Sequence, residues 1–302
     1  MNDNPAPFDR AAHRRFTERA RLAGKFADFL IDAAVSDVAM RLSAVTREFK
    51  RAADLTAHHG QMARALENFL SIGEIVICGR SSQLLPEDRA SPLVVCDDEA
   101  LPFAPESLDL VTSILGLQWV NDLPGTLIQI RKALRPDGLF IAALVGGESL
   151  TELRQALLAA EAEITGGAHL RVSPFVALRE MGGLLQRSGF ALPVADVETL
   201  TVRYANPGRL LDDLRAMGFQ NALHARSRNF LRRDVLTRAM EIYAERFTDP
   251  DGRVRARFDI LHVSGWAPHE SQQKPLKPGS AKMRLADALG TREHDAGEKA
   301  GS

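Results

Sequence analysis

The stretch CDDEALPFAPESLDLVTSILGLQWVNDLPGTLIQIRKALRPDGLF, residues 96–140, decides the fold, because strand, loop, strand, helix and turn signals follow one another in it without a gap. An apolar run from Leu93 ends in two carboxylates, Asp97 and Asp98, and the turn-rich Leu101-Pro102-Phe103-Ala104-Pro105 leads to a second apolar run, Leu108 to Leu117. Continuous apolar runs of this length suit strands buried on both faces of a parallel sheet. Asn121-Asp122 can cap a helix; Leu123, Leu127, Ile130 and Leu134 then recur at helical spacing, and Arg135-Pro136-Asp137-Gly138 ends it. Leu139 to Val145 reads as a strand again. Strand, helix, strand is a parallel crossover, and such sheets bind ligands at the carboxyl ends of their strands. Asp97, Asp98 and the Leu117-Gln118-Trp119 corner are therefore expected on the ligand-facing rim.

Upstream, Arg47 to Leu55 is the first strand, Met62, Ala65, Leu66 and Phe69 mark a helix, and Ile75 to Cys78 is the second strand. The alternation from Ala52 to Val145 predicts a doubly wound α/β sheet. Before it, Asp9 to about Val45 is helical, with Phe16, Ala20, Leu22, Phe26, Phe29, Leu30 and Ala34 apolar and Arg10, Arg14, Arg15, Arg19 and Arg21 forming a basic face. Such a face is usually just solvated, although it can also make peripheral contact with an anionic membrane. Downstream, the pattern predicts a helix from Ser149 to Ile164, another opened by Ser173-Pro174-Phe175 and running to Ser188, and a strand from Val194 to Tyr204. Two helices follow, Pro207 to Met217 and Arg233 to Phe247, in an insertion over 206–250, and a last strand runs from Phe258 to Trp266. The segments are thus 1–46, N-terminal and helical; 47–270, the α/β domain; and 271–302, a polar tail that reads as disordered.

The 302 residues are 45% hydrophobic and 25% charged, enough apolar material for a sizeable core. A formal net charge of -1 argues against a nucleic-acid partner. The two cysteines, Cys78 and Cys96, lack metal-ligand spacing and suit a reducing compartment. No signal core and no membrane span are evident, so the expected location is cytoplasmic.

In this order of elements the turn after the first strand ordinarily cradles a nucleotide or amino-acid ligand against backbone N–H groups. Here it reads Asp54-Leu55-Thr56-Ala57-His58-His59-Gly60, with one glycine, and a Cβ at Thr56 and His58 obstructs close approach. The second strand ends in Gly79-Arg80 where an acid for ribose hydroxyls is expected.

The segments LPF, SLDLV, LGLQWVNDLP, RPDG and GGESLTELR, with Phe8-Asp9-Arg10, Ser173-Pro174-Phe175, Gly265-Trp266 and His269-Glu270-Ser271-Gln272, resemble the class I S-adenosylmethionine-dependent methyltransferases. More closely they are similar to the family of mitochondrial respiratory complex I assembly factor 5 and its alphaproteobacterial relatives. That resemblance implies a seven-stranded Rossmann-like sheet, S-adenosylmethionine as cofactor, and a protein subunit of complex I as the partner. The activity the resemblance implies is methyl transfer to that subunit, with a cofactor-free scaffold and arginine hydroxylation on the same fold as the alternatives. Residue by residue, it assigns cofactor-binding positions to Asp54, Gly60 and Asp97 with Asp98, whereas Thr56 and His58 stand where the family has glycine and Gly79 where it has the ribose-binding acid.

Gln118 and Trp119 follow the fourth strand, where substrate meets the cofactor in related enzymes, although a tryptophan there serves equally as a core lid. Two adjacent histidines, His58 and His59, with Asp97 would offer an iron triad, but neighbours on a turn rarely point at one ion, and no metal is expected. Methyl transfer needs mainly positioning, so no residue is required to be catalytic.

Overall fold

The apolar runs assemble as strands of one sheet; those at Leu108–Ile114 and Leu139–Val145 are buried on both faces, whereas the run from Leu93 is an edge strand with Leu93 40% and Val95 56% exposed. The computed structural model describes residues 6–24, 26–87, 91–273, 287, 290 and 291. Among them, β1 (Phe49–Asp54), β2 (Ile72–Gly79), β3 (Leu93–Val95), β4 (Leu108–Ile114), β5 (Leu134–Gly146), β6 (Ala191–Tyr204) and β7 (Val254–Trp266) form a seven-stranded sheet of order β3-β2-β1-β4-β5-β7-β6. Strands β1 to β5 pair in parallel, and β7 enters antiparallel between β5 and β6. Asp54 at the end of β1 aligns with Ile77 of β2 and with Thr112 of β4, which brings three strand ends to one rim. The order reverses at β1, and there the crevice opens.

One face of the sheet is covered by α2 (Phe29–Ser43), α3 (Gln61–Leu66), α5 (Thr151–Thr165), α7 (Pro207–Ala216) and α8 (Arg233–Phe247), the other by α4 (Leu123–Ala133) and α6 (Leu178–Arg187). The crossover has the expected order of elements: Asp122 accepts the Gly125 N–H at 2.8 Å and caps α4, whose Leu127 and Ile130 are fully buried. Each such side chain contributes roughly 1.5–3 kcal/mol of burial.

Four local readings change. The N-terminal helical stretch is two helices, α1 (Arg10–Leu22) and α2, because Gly24 turns with φ +64. Its basic face also divides: Arg14, Arg15 and Arg19 are exposed, while Arg10 turns to a carboxylate cluster and Arg21 donates to the Leu85 carbonyl at 2.8 Å. Leu22, expected on the apolar side, is 77% exposed. Ser173-Pro174-Phe175 does not start a helix. Ser173 is buried with its carbonyl accepting from Arg154, and α6 opens only at Leu178, with Glu180 reaching back to the Ala177 N–H. Arg135-Pro136-Asp137-Gly138 already belongs to β5, with Asp137 at φ +64 and its N–H donating to the Ala267 carbonyl.

The compact unit runs from Met1 to Pro268, and a second unit starts at His269. In the latter, His269 donates its N–H to Gln272 Oε1 at 3.2 Å and sets Nδ1 2.6 Å from Ser271 Oγ, a local turn. The expected disorder of the tail falls outside the described residues, as does the His59 side chain. Among the described residues no helix is long and apolar enough to cross a membrane.

Candidate functional site

The turn leaving β1 is tied down by its own side chains. Asp54 is fully buried; its Oδ1 accepts the Thr56 N–H at 3.2 Å, Oδ2 has no hydrogen-bond partner, and burial pushes its pKa up to about 7. Thr56 Oγ1 lies 2.9 Å from Ser113 Oγ, stitching the turn to β4. His58 takes φ +31, and its Nε2 sits 2.6 Å from the Ile114 carbonyl, which fixes a proton on that nitrogen. Gly60, at φ +77, supplies the left-handed bend before α3.

Above this turn lies a cavity walled by Thr56 and His58 beyond β1, Gly79 and Arg80 at the end of β2, Asp98 beyond β3, and Gly116 and Trp119 beyond β4. Its roof is α1, through His13 and Thr17, together with Met217 and Phe219. The roof is fastened by motif residues. Phe8 donates its N–H to Asn121 Oδ1 at 2.7 Å and receives Asn121 Nδ2 on its carbonyl at 3.2 Å. Asp9 caps α1 on the Ala12 N–H and also takes Arg226 at 2.8 Å; these bonds hold its pKa down at about 2.

Charge at the rim is paired internally. Arg10 reaches Asp97 at 2.5 Å, Glu99 at 2.9 Å and Asp98 at 3.2 Å, and Arg80 stands 3.7 Å from Asp98. Burial still lifts the Asp98 carboxyl to about 6, against the pull of both guanidiniums. Arg80 donates to His13 Nδ1, while its Nη1 is buried without a hydrogen-bond partner. His13 is held well below its ordinary pKa by burial and then by Arg80, and it stacks on Trp119 with centroids 4.3 Å apart. Phe8 and Phe219 meet the same indole edge-on at 5.5 and 5.6 Å.

Of the residues named from sequence, Asp98 and Trp119 are in the cavity wall. Asp54 is enclosed outside that wall, Asp97 turns outward with a side chain 55% exposed, and Gly60 shapes the turn from behind. Gln118 is buried and spends its amide on the Leu115 carbonyl at 2.8 Å. Sequence reasoning missed His13 and Arg80 in the wall and Arg10 as the cation that pairs the rim acids. Arg80 was signalled by standing where an acid was expected and Arg10 by the Phe8-Asp9-Arg10 motif; His13 had no signal.

Residues 53–142 match the methyltransferase domain family. Over 286 residues the chain is 38% identical to the arginine-hydroxylase NDUFAF5, mitochondrial, of Danio rerio, covering 93% of this chain and 88% of that protein. It is 32% identical over 283 residues to the malonyl-[acyl-carrier protein] O-methyltransferase of Halorhodospira halophila, covering 91% of each. Among solved structures, a Bacillus halodurans protein described as a methyltransferase aligns with a TM-score of 0.54 at 14% identity, over 78% of this chain and 99% of that one, a likeness of fold alone.

Proposed function

Because the chain belongs to the NDUFAF5 family, on the fold of class I methyltransferases, we propose that it serves the assembly of respiratory complex I by engaging a protein subunit of that complex at the rim of the roofed cavity. The observation that carries this is the 38% identity extending over 88% of the Danio rerio protein. The setting we propose is the bacterial cytoplasm beside the inner membrane, with Arg14, Arg15 and Arg19 of α1 facing anionic headgroups.

S-adenosylmethionine is the cofactor of the fold family, and the residues present here do not fit it. Thr56 fills the cradle between β1 and β4 so closely that a Cβ on Gly116 would stand 2.5 Å from its Oγ1. At the ribose position Gly79 offers no side-chain acceptor, its carbonyl already takes the Cys96 N–H, and a Cβ there would meet Leu85 at 3.1 Å. Asp97 and Asp98, the adenine-side acids, already hold Arg10, with Arg80 beside Asp98. We therefore infer that the subunit is bound and held rather than methylated. Titration calorimetry with S-adenosylhomocysteine should give no heat at high micromolar ligand, and T56G/H58G should gain binding. Low-micromolar binding by the unaltered chain would sink this reading.

A second reading, modification of an arginine of the subunit, is favoured by one feature. The oxygens of Asp97, Asp98 and Glu99 already hold one guanidinium, that of Arg10, and Asp98 lines the same cavity as the Trp119 indole. A guanidinium presented by a subunit would meet the same acids if α1 gave way. Mass spectrometry of a captured complex I subunit, from cells with and without the chain, distinguishes the readings by the presence or absence of an altered arginine.

A further inference from the structure

Away from the cavity, on the sheet face covered by α2, lies a polar cluster that neither the fold nor the proposed function uses. His262 of β7 is 2% exposed, and neither ring nitrogen has a hydrogen-bond partner. Its Nδ1 lies 2.9 Å from Asp37 Oδ2 on α2 and its Nε2 3.7 Å from Glu198 Oε2 on β6, close approaches that lack hydrogen-bonding geometry. Asp196 sits directly across from His262 in the β6–β7 register, and Glu198 is two residues along on the same face.

Around this ring stand three carboxylates, Asp37, Asp196 and Glu198, with Arg41 as the cation that bonds two of them. Arg41 donates to Asp37 at 2.5 Å and to both oxygens of Asp196 at 2.7 and 2.8 Å. Three carboxylates against one guanidinium leave the cluster with an excess of two negative charges beside a buried ring whose nitrogens have no hydrogen-bond partner, an arrangement that a divalent ion would satisfy.

We propose that Asp37, Glu198 and His262 form a binding site for a divalent transition cation of the zinc type, which fastens α2 to the β6–β7 seam. One ligand atom from each lies within 4.8 Å of the others. Ligand bonds of about 2.0–2.2 Å require them to close to somewhat over 3 Å, and Glu198, with a side chain 50% exposed, is free to swing in. One imidazole nitrogen and two carboxylates are borderline-to-hard ligands suited to Zn²⁺ or Co²⁺, with water completing the shell. Arg41 keeps its two bonds to Asp196 when Asp37 turns to the ion.

The test uses the untagged full chain after chelator treatment. Titration with Co²⁺ should give one equivalent of binding with the visible d–d bands of a low-coordinate centre, displaced by Zn²⁺. Glu198→Gln, a half-exposed change that leaves the core intact, should weaken cobalt binding at least tenfold, and His262→Phe should abolish the bands. Zn²⁺ should raise the unfolding midpoint of the unaltered chain and leave that of Glu198→Gln nearly unmoved. Absent bands, or equal affinity in the unaltered chain and Glu198→Gln, would overturn the proposal.

Discussion

Asp54 ties stability to pH through a single enclosed carboxyl. Unfolded, it titrates near 3.8; folded, burial raises it to about 7. Between those values the unfolded chain releases a proton that the folded chain keeps, so stability falls as pH rises from about 4 to about 7. The loss is on the order of 4 kcal/mol, and Asp98, lifted to about 6, acts in the same direction. Asp9 has the opposite sign, its contribution being present above about pH 4 and lost as pH falls toward 2. Asp54→Asn should therefore unfold at higher urea than the unaltered chain at pH 8, and its stability should vary less between pH 5 and pH 8. An unchanged slope would show that Asp54 keeps its charge in the fold. At this scale the sequence was partly legible: Asp97, Asp98, Gln118 and Trp119 were expected at a rim, yet only Asp98 and Trp119 face the cavity. Both acids lie past β3, in a tight turn closed by the Asp97–Ala100 bridge, and the turn geometry that aims one inward and the other outward was not readable from residues 96–98 alone.

Element by element, the roof depends on a close approach. Gly218, just after α7, takes φ +76, and a Cβ there would stand 2.9 Å from the Thr17 backbone of α1. Gly218→Ala should cost about 2 kcal/mol through strain and displaced packing and speed amide exchange in α1, leaving α5 and α8 protected; equal exchange across all helices would point to global loss. The β4–α4–β5 crossover and α8 were legible because long apolar periods and Asp122 mark them. Boundaries at Gly24 and Leu178 were not. In the first case Ala23-Gly24 interrupts a pattern that continues on both sides, and in the second the proline signal at 174 belongs to a buried connector. β6 was drawn short because, as an edge strand, it exposes Leu192 and Val194 and so blurs the alternation.

For the whole molecule, the cavity draws its wall from residue 13 to residue 219, so only positions that topology alone fixes could be anticipated. Asp37, Glu198 and His262, far apart in sequence, meet only because α2 crosses the face where β6 and β7 pair. The sheet has a matching long-range dependence, since β7 separates β5 from β6 and pairs with both along most of its length. A chain stopped at residue 253 should therefore lack a cooperative transition in urea and precipitate, whereas one stopped at residue 273 should keep it.

Synthesis proceeds from the amino end, and the strand inserted in the middle of the right half of the sheet is the last to be made. Until Trp266 clears the ribosome, the nascent protein presents two unsatisfied backbone ladders, one beside Leu139–Gly146 and one along Ala191–Tyr204, each able to capture a neighbour. A cell making this protein must shelter those ladders through much of the second half of its translation, so holdase chaperones are expected to weigh more heavily on its yield than codon choice near its start.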